Sequence, residues 1–171
     1  VTPTGITSGA TSVAAGDDHT CVAVSGAVKC WGGNAYGQVG NTGSAATSTS
    51  PYAIPSLTSG WVEVAAGEHV SCARSSAGQV KCWGSNARHL LGGGTTDSQT
   101  ATPVEVIASG ATALDTSASG ETICAAKSDG SGVCWGENAN AQAGTDPGWT
   151  PRTVSGGSVY QGGNPWAPFA S

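Results

Sequence analysis

Apolar and polar positions along the chain alternate in short bursts, and no burst is long. Ser12–Gly16 reads SVAAG, Val62–Gly67 reads VEVAAG and Ala113–Ala118 reads ALDTSA. After each comes a segment with two cysteines, of which "HTCVAVSGAVKCWGG" (His19–Gly33) is the first. A run rich in Gly, Asn, Ser and Thr follows every Trp-Gly. Alternation near a period of two predicts strands, and no window carries the 3.6-residue period with caps that a helix needs. The runs after Trp-Gly predict loops with weak strand character. The chain is therefore expected to be all-β.

The bursts recur. Trp31-Gly32, Trp83-Gly84 and Trp135-Gly136 lie 52 residues apart both times, as do Cys30, Cys82 and Cys134. Pro3, Pro51, Pro103 and Pro151 open successive units. The boundaries so drawn are 1–50, 51–102, 103–150 and a partial fourth unit with a tail, 151–171. Short strands with turn signals in a repeat near 50 residues predict propeller-type blades. Three blades and a partial one would form an open arc, or a ring completed by oligomerisation.

Each pair of cysteines sits on a predicted hairpin. If Ser25-Gly26 is a two-residue turn, Val24 faces Ala27, Ala23 faces Val28 and Cys21 faces Cys30. The other two units have one more residue between their cysteines. Three-residue loops, Ser76-Ala77-Gly78 and Ser128-Asp129-Gly130, then set Cys72 opposite Cys82 and Cys124 opposite Cys134. Gly78 falls where such a loop wants positive φ. Directly opposed residues of an antiparallel pair lie within disulfide reach. Three local disulfides are expected, each closing a loop of about ten residues worth roughly 2.5–3 kcal/mol. Zinc is the rival use of cysteine, but Cys-x-x-Cys is absent and the chain has three His.

Gly16-x-x-His19-Thr20, then Trp31-Gly32-x-Asn34-x-x-Gly37-Gln38-x-Gly40, resembles the regulator-of-chromosome-condensation repeat. The second unit keeps Gly67, Trp83-Gly84-x-Asn86 and Gly92, with Val70 for His19, His89 for Gly37 and Leu90 for Gln38. The third keeps Trp135-Gly136-x-Asn138, Gln142 and Gly144, with Ser119 for Gly16. The resemblance runs over roughly residues 3 to 160. It implies a four-stranded blade for each unit, in a family whose rings usually have seven. Cysteine-bridged versions resemble secreted bacterial members. Cytosolic members can act as nucleotide-exchange factors for small GTPases, a role the paired cysteines and the short arc do not fit.

Trp31, Trp83 and Trp135, with Gly32, Gly84 and Gly136, are expected to pack blade against blade; stacking of the Trp rings on a sugar is the alternative. Asn34, Asn86 and Asn138 are expected to hydrogen-bond turn backbone, and His19 to satisfy a nearby backbone group. Asp17-Asp18 is a weak calcium candidate, because the Asp-x-Asp-x-Asp-Gly spacing is missing. No Gly-x-Ser-x-Gly elbow, P-loop or dinucleotide fingerprint occurs. Glu63, Glu68, Asp97, Glu105, Asp115 and Glu121 fall at non-equivalent repeat positions, unlike the paired carboxylates of a glycosidase. No enzyme activity and no cofactor are expected.

Composition narrows the partners. A net charge of −5, with six scattered Lys and Arg, speaks against nucleic acid. No apolar stretch approaches the ~20 residues of a membrane span. Six paired cysteines and only 10% charged residues point to an oxidising, extracellular setting. Residue 1 is Val with no charged and apolar leader after it, so the N-terminus reads as processed or as an expression boundary. In the tail, Val159, Tyr160, Trp166 and Phe169 are candidate assembly anchors. Two functions stand: a non-catalytic structural protein that assembles with itself into a fibre or ring, or an extracellular module that binds a protein or a glycan.

Overall fold

The computed structural model describes residues 3–43, 45–92, 95–117, 119–144 and 152–154. Its strands form three four-stranded antiparallel sheets, each a meander in chain order. The first holds β1 (Ala10–Ala15), β2 (His19–Val24), β3 (Ala27–Gly33) and β4 (Thr47–Ala53). The second holds β5 (Trp61–Ala66), β6 (Val70–Ser75), β7 (Val80–Ser85) and β8 (Gln99–Ile107). The third holds β9 (Ala111–Thr116), β10 (Thr122–Lys127), β11 (Gly132–Gly136) and β12 (Arg152–Val154).

Turn chemistry sets the hairpin registers. Ser25 and Gly26 both have positive φ (50° and 82°), as a two-residue turn matched to strand twist requires. Cys21 then faces Cys30. In the longer hairpin Gly78 takes φ +78°, and the added loop residue keeps Cys72 opposite Cys82. Cys124 likewise faces Cys134. Disulfides join all three pairs, with Cα atoms 4.1 Å apart in each.

Two features depart from the expected layout. The segments after Trp-Gly supply a full fourth strand, and Pro51 and Pro103 lie inside β4 and β8 rather than ahead of a new sheet. Each proline falls where the ladder register shifts, between Cys30↔Tyr52 and Gly32↔Ser48, and between Cys82↔Val104 and Gly84↔Thr100. A residue without an N–H costs little at such a bulge on an outer strand. Arg152–Val154, read as the opening of a fourth unit, pairs with β11 and gives the third sheet its fourth strand.

The cores lie between sheets rather than within one. Cys21, Val28, Cys30, Val39, Ile54 and Leu57 of the first sheet and its loops meet Trp61, Val64, Ala73 and Trp83 of the second. Cys72, Val80, Cys82, Leu90 and Leu91 meet Leu114, Ile123, Val133 and Trp135 in the same way. Backbone bonds reinforce both seams: the Trp61 amide donates to the Gly26 carbonyl (2.9 Å), and Ala111 to Gly78 (3.0 Å). The second sheet presents apolar side chains on both faces and buries both, one in each seam.

Candidate functional site

The repeated chemistry centres on the loop after each Trp-Gly. Asn34 organises the first: its Oδ1 accepts from the Val39 amide (3.0 Å), and its Nδ2 donates to Asn41 O and Ala45 O. Asn86 does the same through Leu91 N, Thr95 O and Asp97 O. Asn138 accepts from Ala143 N and donates to Gly144 O. In each case one amide side chain holds a loop of several residues in a single shape. The glycine after each tryptophan is needed for a different reason. At Gly32, Gly84 and Gly136 φ is 107°, 108° and 103°, and an added Cβ would stand 2.4–2.5 Å from the carbonyl oxygen of Asp18, His69 or Glu121. That contact is within one blade. A Cβ added at Gly84 or Gly136 would also meet the preceding blade, at Gln38 or Leu90, whereas one added at Gly32 would meet Asp18 and His19 of its own blade.

The shaped loop presents a backbone carbonyl to the next blade. Trp83 Nε1 donates to Gln38 O (2.8 Å), and Trp135 Nε1 donates to Leu90 O (3.0 Å). Gln38 and Leu90 sit at the same place in their loops, four residues after the organising Asn. Two residues after that Asn comes a side chain that meets the next blade three positions before its first cysteine. Tyr36 stacks on His69, with centroids 4.2 Å apart. Arg88 pairs with Glu121 (3.3 Å) and with Glu137. Hydrogen bonds from the Ala139 amide and from Arg88 hold the Glu137 carboxyl below its usual range.

The first seam has a polar centre. The Ser71 hydroxyl donates to Gln38 O (2.8 Å), so it accepts from His19 Nε2, also 2.8 Å away. His19, expected to satisfy a nearby backbone group, thus bonds a side chain of the second blade. Its Nδ1 lies 3.5 Å from Asp18 Oδ1, too far for a good hydrogen bond. Burial lowers the imidazole pKa, against the opposing pull of Asp18. At the second seam Val70 and Ile123 take the places of His19 and Ser71, and the centre is hydrocarbon. Both versions work because a buried polar pair can be exchanged for an apolar pair of similar shape at little net cost.

The three tryptophans do not share one environment. Trp83 and Trp135 are fully buried, while Trp31 is partly exposed, and no described residue accepts a hydrogen bond from its ring. Val13 is 69% exposed, whereas its equivalents Val64 and Leu114 are 5% and 7% exposed. Thr20 is partly exposed where Ser71 and Ile123 are buried. Among the described residues, no other sheet covers the face of the first sheet that turns away from the second sheet. At the far end Gln142 is exposed, although Gln38 and Leu90 are buried. Residue types alone did not single out Val13, Asp18, Gln38 or Ser71 as seam residues. Aligning Val13 with Val64 and Leu114 marks the position but not its exposure.

Asp17, the calcium candidate, lines a polar cleft of about 690 Å³ with Glu68 and Glu121. Asp18 accepts instead from Gln38 Nε2 (3.1 Å). Among the described residues no three His, Cys, Asp or Glu side chains converge as a metal site would need. Nor is any described helix long and apolar enough to cross a membrane. Val159, Tyr160, Trp166 and Phe169 lie outside the described residues.

Four-stranded meander sheets whose cores lie between sheets are β-propeller blades. Residues 10–38 and 61–89 match one family profile described as regulator of chromosome condensation (RCC1) repeat, and residues 25–74 match a second of that description. The matched residues all lie in the first two blades. No curated protein matches the chain in sequence. Among solved structures it is similar to human WBSCR16, with 20% identity, TM-score 0.71 and coverage of 85% of this chain and 38% of that one. It is similar to yeast RCC1 (Prp20), solved with Kap60 bound, with 20% identity, TM-score 0.70 and coverage of 84% and 36%. A second structure, Prp20p from Saccharomyces cerevisiae, gives 18%, 0.69, 84% and 37%; its description also covers binding to Gsp1p and histones. At these identities the likeness is one of fold. The chain spans less than two fifths of the length of each.

Proposed function

We propose that this chain is a non-catalytic, extracellular repeat protein whose work is protein docking, blade face to blade face, and that it assembles with itself. The observation that carries the reading is Val13, 69% exposed at a position where Val64 and Leu114 are buried under a neighbouring blade. Val13 shares its face with the partly exposed Thr20 and Trp31, so the three form one patch that a partner would cover. Contact between unlike blade faces would be heterologous and would yield a ring or a filament. The three disulfides support an oxidising compartment, since reducing thiol pools in the cytosol would oppose them. Docking through protein surface also agrees in kind with the protein-bound yeast relative.

Analytical ultracentrifugation over a hundredfold concentration range tests the proposal. The parent is expected to form species larger than the monomer, and Val13→Asp to shift the transition at least tenfold higher in concentration. A parent that stays monomeric throughout would sink the self-assembly reading and leave a binding module for another protein or a glycan.

A further inference from the structure

Among the described residues the exposed large hydrophobic side chains are Val13 and Tyr36. Tyr36 lines a cleft of about 460 Å³ between the loop after the first Trp-Gly and the start of β8. Every described residue of its walls belongs to the first two blades. We infer that this cleft is a binding subsite for a neutral saccharide, with a pyranose stacked on the Tyr36 ring and hydrogen-bonded by Asn41, Thr42 and Gln99. The inference stands apart from self-docking, because neither Val13 nor its neighbours Thr20 and Trp31 line the cleft.

The cleft is shaped before any ligand arrives. Asn34 Nδ2 donates to Asn41 O (3.1 Å) and Ala45 O (3.2 Å), and its Oδ1 accepts from Val39 N, so one wall has a single shape. The Asn34 amide bonds Ala46 O (2.8 Å) in the same wall. Gly37 brings that wall onto β8: a Cβ added there would stand 2.9 Å from N, Cα and Cβ of Ala101. His69 braces the Tyr36 ring, stacked on it at 4.2 Å with 16° between the planes. Tyr36 nonetheless stays 38% exposed. A ring already held in place loses little further freedom on binding. The volume falls within the range of about 300–1,000 Å³ usual for small-molecule sites.

The lining selects the ligand by charge. It holds no Asp, Glu, Lys, Arg or His among the described residues, whereas the larger polar cleft holds Asp17, Glu68 and Glu121. An ionised ligand would give up water here without meeting a counter-charge. The groups on offer are amides and hydroxyls beside one aromatic ring. Asn41 Oδ1 accepts from the Gly43 amide (2.9 Å), which fixes the side chain and leaves Nδ2 to donate. Thr42 and Gln99 are exposed and supply a hydroxyl and a second amide. A sugar has the matching form, with hydroxyls around its rim and C–H bonds on its faces for an aromatic ring to cover. Most of the remaining wall is Gly and Ala, which leaves room for it. In the second loop Arg88 stands where Tyr36 does and is bound to Glu121 and Glu137, so of these two loops only the first has the ring.

Amide NMR of the isotope-labelled chain tests the subsite. The probes are the methyl glycosides of glucose, galactose, mannose and N-acetylglucosamine, with glucuronic acid as the charged counterpart and trialanine as a peptide. At least one glycoside is expected to shift the amides of Gly37, Gly43 and Ala101 with a Kd in the millimolar range. Glucuronic acid is expected to bind at least tenfold more weakly than that glycoside. Tyr36→Ala should weaken binding at least tenfold and Tyr36→Phe less than threefold. Gln99→Ala, which leaves the Tyr36–His69 stack untouched, should weaken it at least threefold. Four results each overturn the inference: no glycoside moving these amides, glucuronic acid binding as well as the best glycoside, binding indifferent to Gln99→Ala, or trialanine moving these amides where the sugars do not.

Discussion

Trp83→Ala is the sharpest probe of how the blades are held. A buried Trp side chain removes about 150–250 Å² from water. At ~25 cal/mol per Å² that is about 4–6 kcal/mol as an upper bound. Measured truncations of large core aromatics cost about 3–5 kcal/mol once partial collapse is included. Trp83 is wholly buried between Val39, Ile54 and its own sheet, so little relaxation is open to it. The lost hydrogen bond adds only about 1 kcal/mol, because Gln38 O keeps the Ser71 hydroxyl as a donor. The expected loss is therefore about 3–5 kcal/mol. Trp31→Ala carries the same change in the same motif but has solvent where Trp83 has a neighbouring blade, and should cost about 1 kcal/mol. Urea unfolding followed by far-UV circular dichroism, with the disulfides intact, measures both. The chain must be dilute enough to be monomeric, since an occupied first-sheet face would bury Trp31. If the two variants differ by less than about 0.5 kcal/mol, seam burial is not what makes these tryptophans matter.

Two further outcomes follow from particular residues. His19 is held below the ordinary histidine pKa of about 6.5 chiefly by burial, with Asp18 pulling it up and His69 pulling it down. The unfolded chain therefore takes up this proton first, and stability should fall as pH drops below about 6.5, levelling off under the folded pKa. Urea midpoints at pH 7.5 and 5.5 should show this for the parent and a smaller difference for His19→Val/Ser71→Ile, which copies the apolar second seam; equal slopes would contradict it. Ala141 has φ +59° where the first loop has Gly37 at +80°. Ala141→Gly should therefore raise stability by up to about 1 kcal/mol, read as a higher thermal midpoint; a lower midpoint would mean the loop is not strained there.

How much could be read from residues alone depended on whether the cause left a mark in residue type. The hairpins left one. Where cysteine spacing lengthens by one residue a Gly appears at the loop position that needs positive φ, so register and strand pairing follow from local chemistry. The organising Asn also left one, since a side-chain amide is the group that can hold both a loop amide and loop carbonyls. The seam acceptors left none. Gln38 and Leu90 act through their backbone carbonyls, and any side chain can stand at such a place. Proline misled, because its usual exclusion from strands is relaxed at a bulge on an outer strand, where Pro51 and Pro103 both fall. Trp31 and Trp83 lie in one motif, but only position in the arc decides which of them is covered.

The two seams together separate what holds blades from what selects them. Adhesion comes from a ring buried on a backbone carbonyl, an arrangement blind to side-chain identity at the acceptor and the same at both seams. Selection then has to come from the pairs around it, and these do differ. Tyr36 stacks on His69; Arg88 reaches Glu121 and Glu137; His19 and Ser71 are matched polar groups where Val70 and Ile123 are matched apolar ones. Shuffling the pairs creates penalties as well as lost contacts. Setting Ile123 against the first loop would leave His19 Nε2 buried without its hydroxyl partner, and an unsatisfied buried polar group costs about 1–3 kcal/mol. Specificity of this kind rests on what wrong partners suffer more than on what right ones gain.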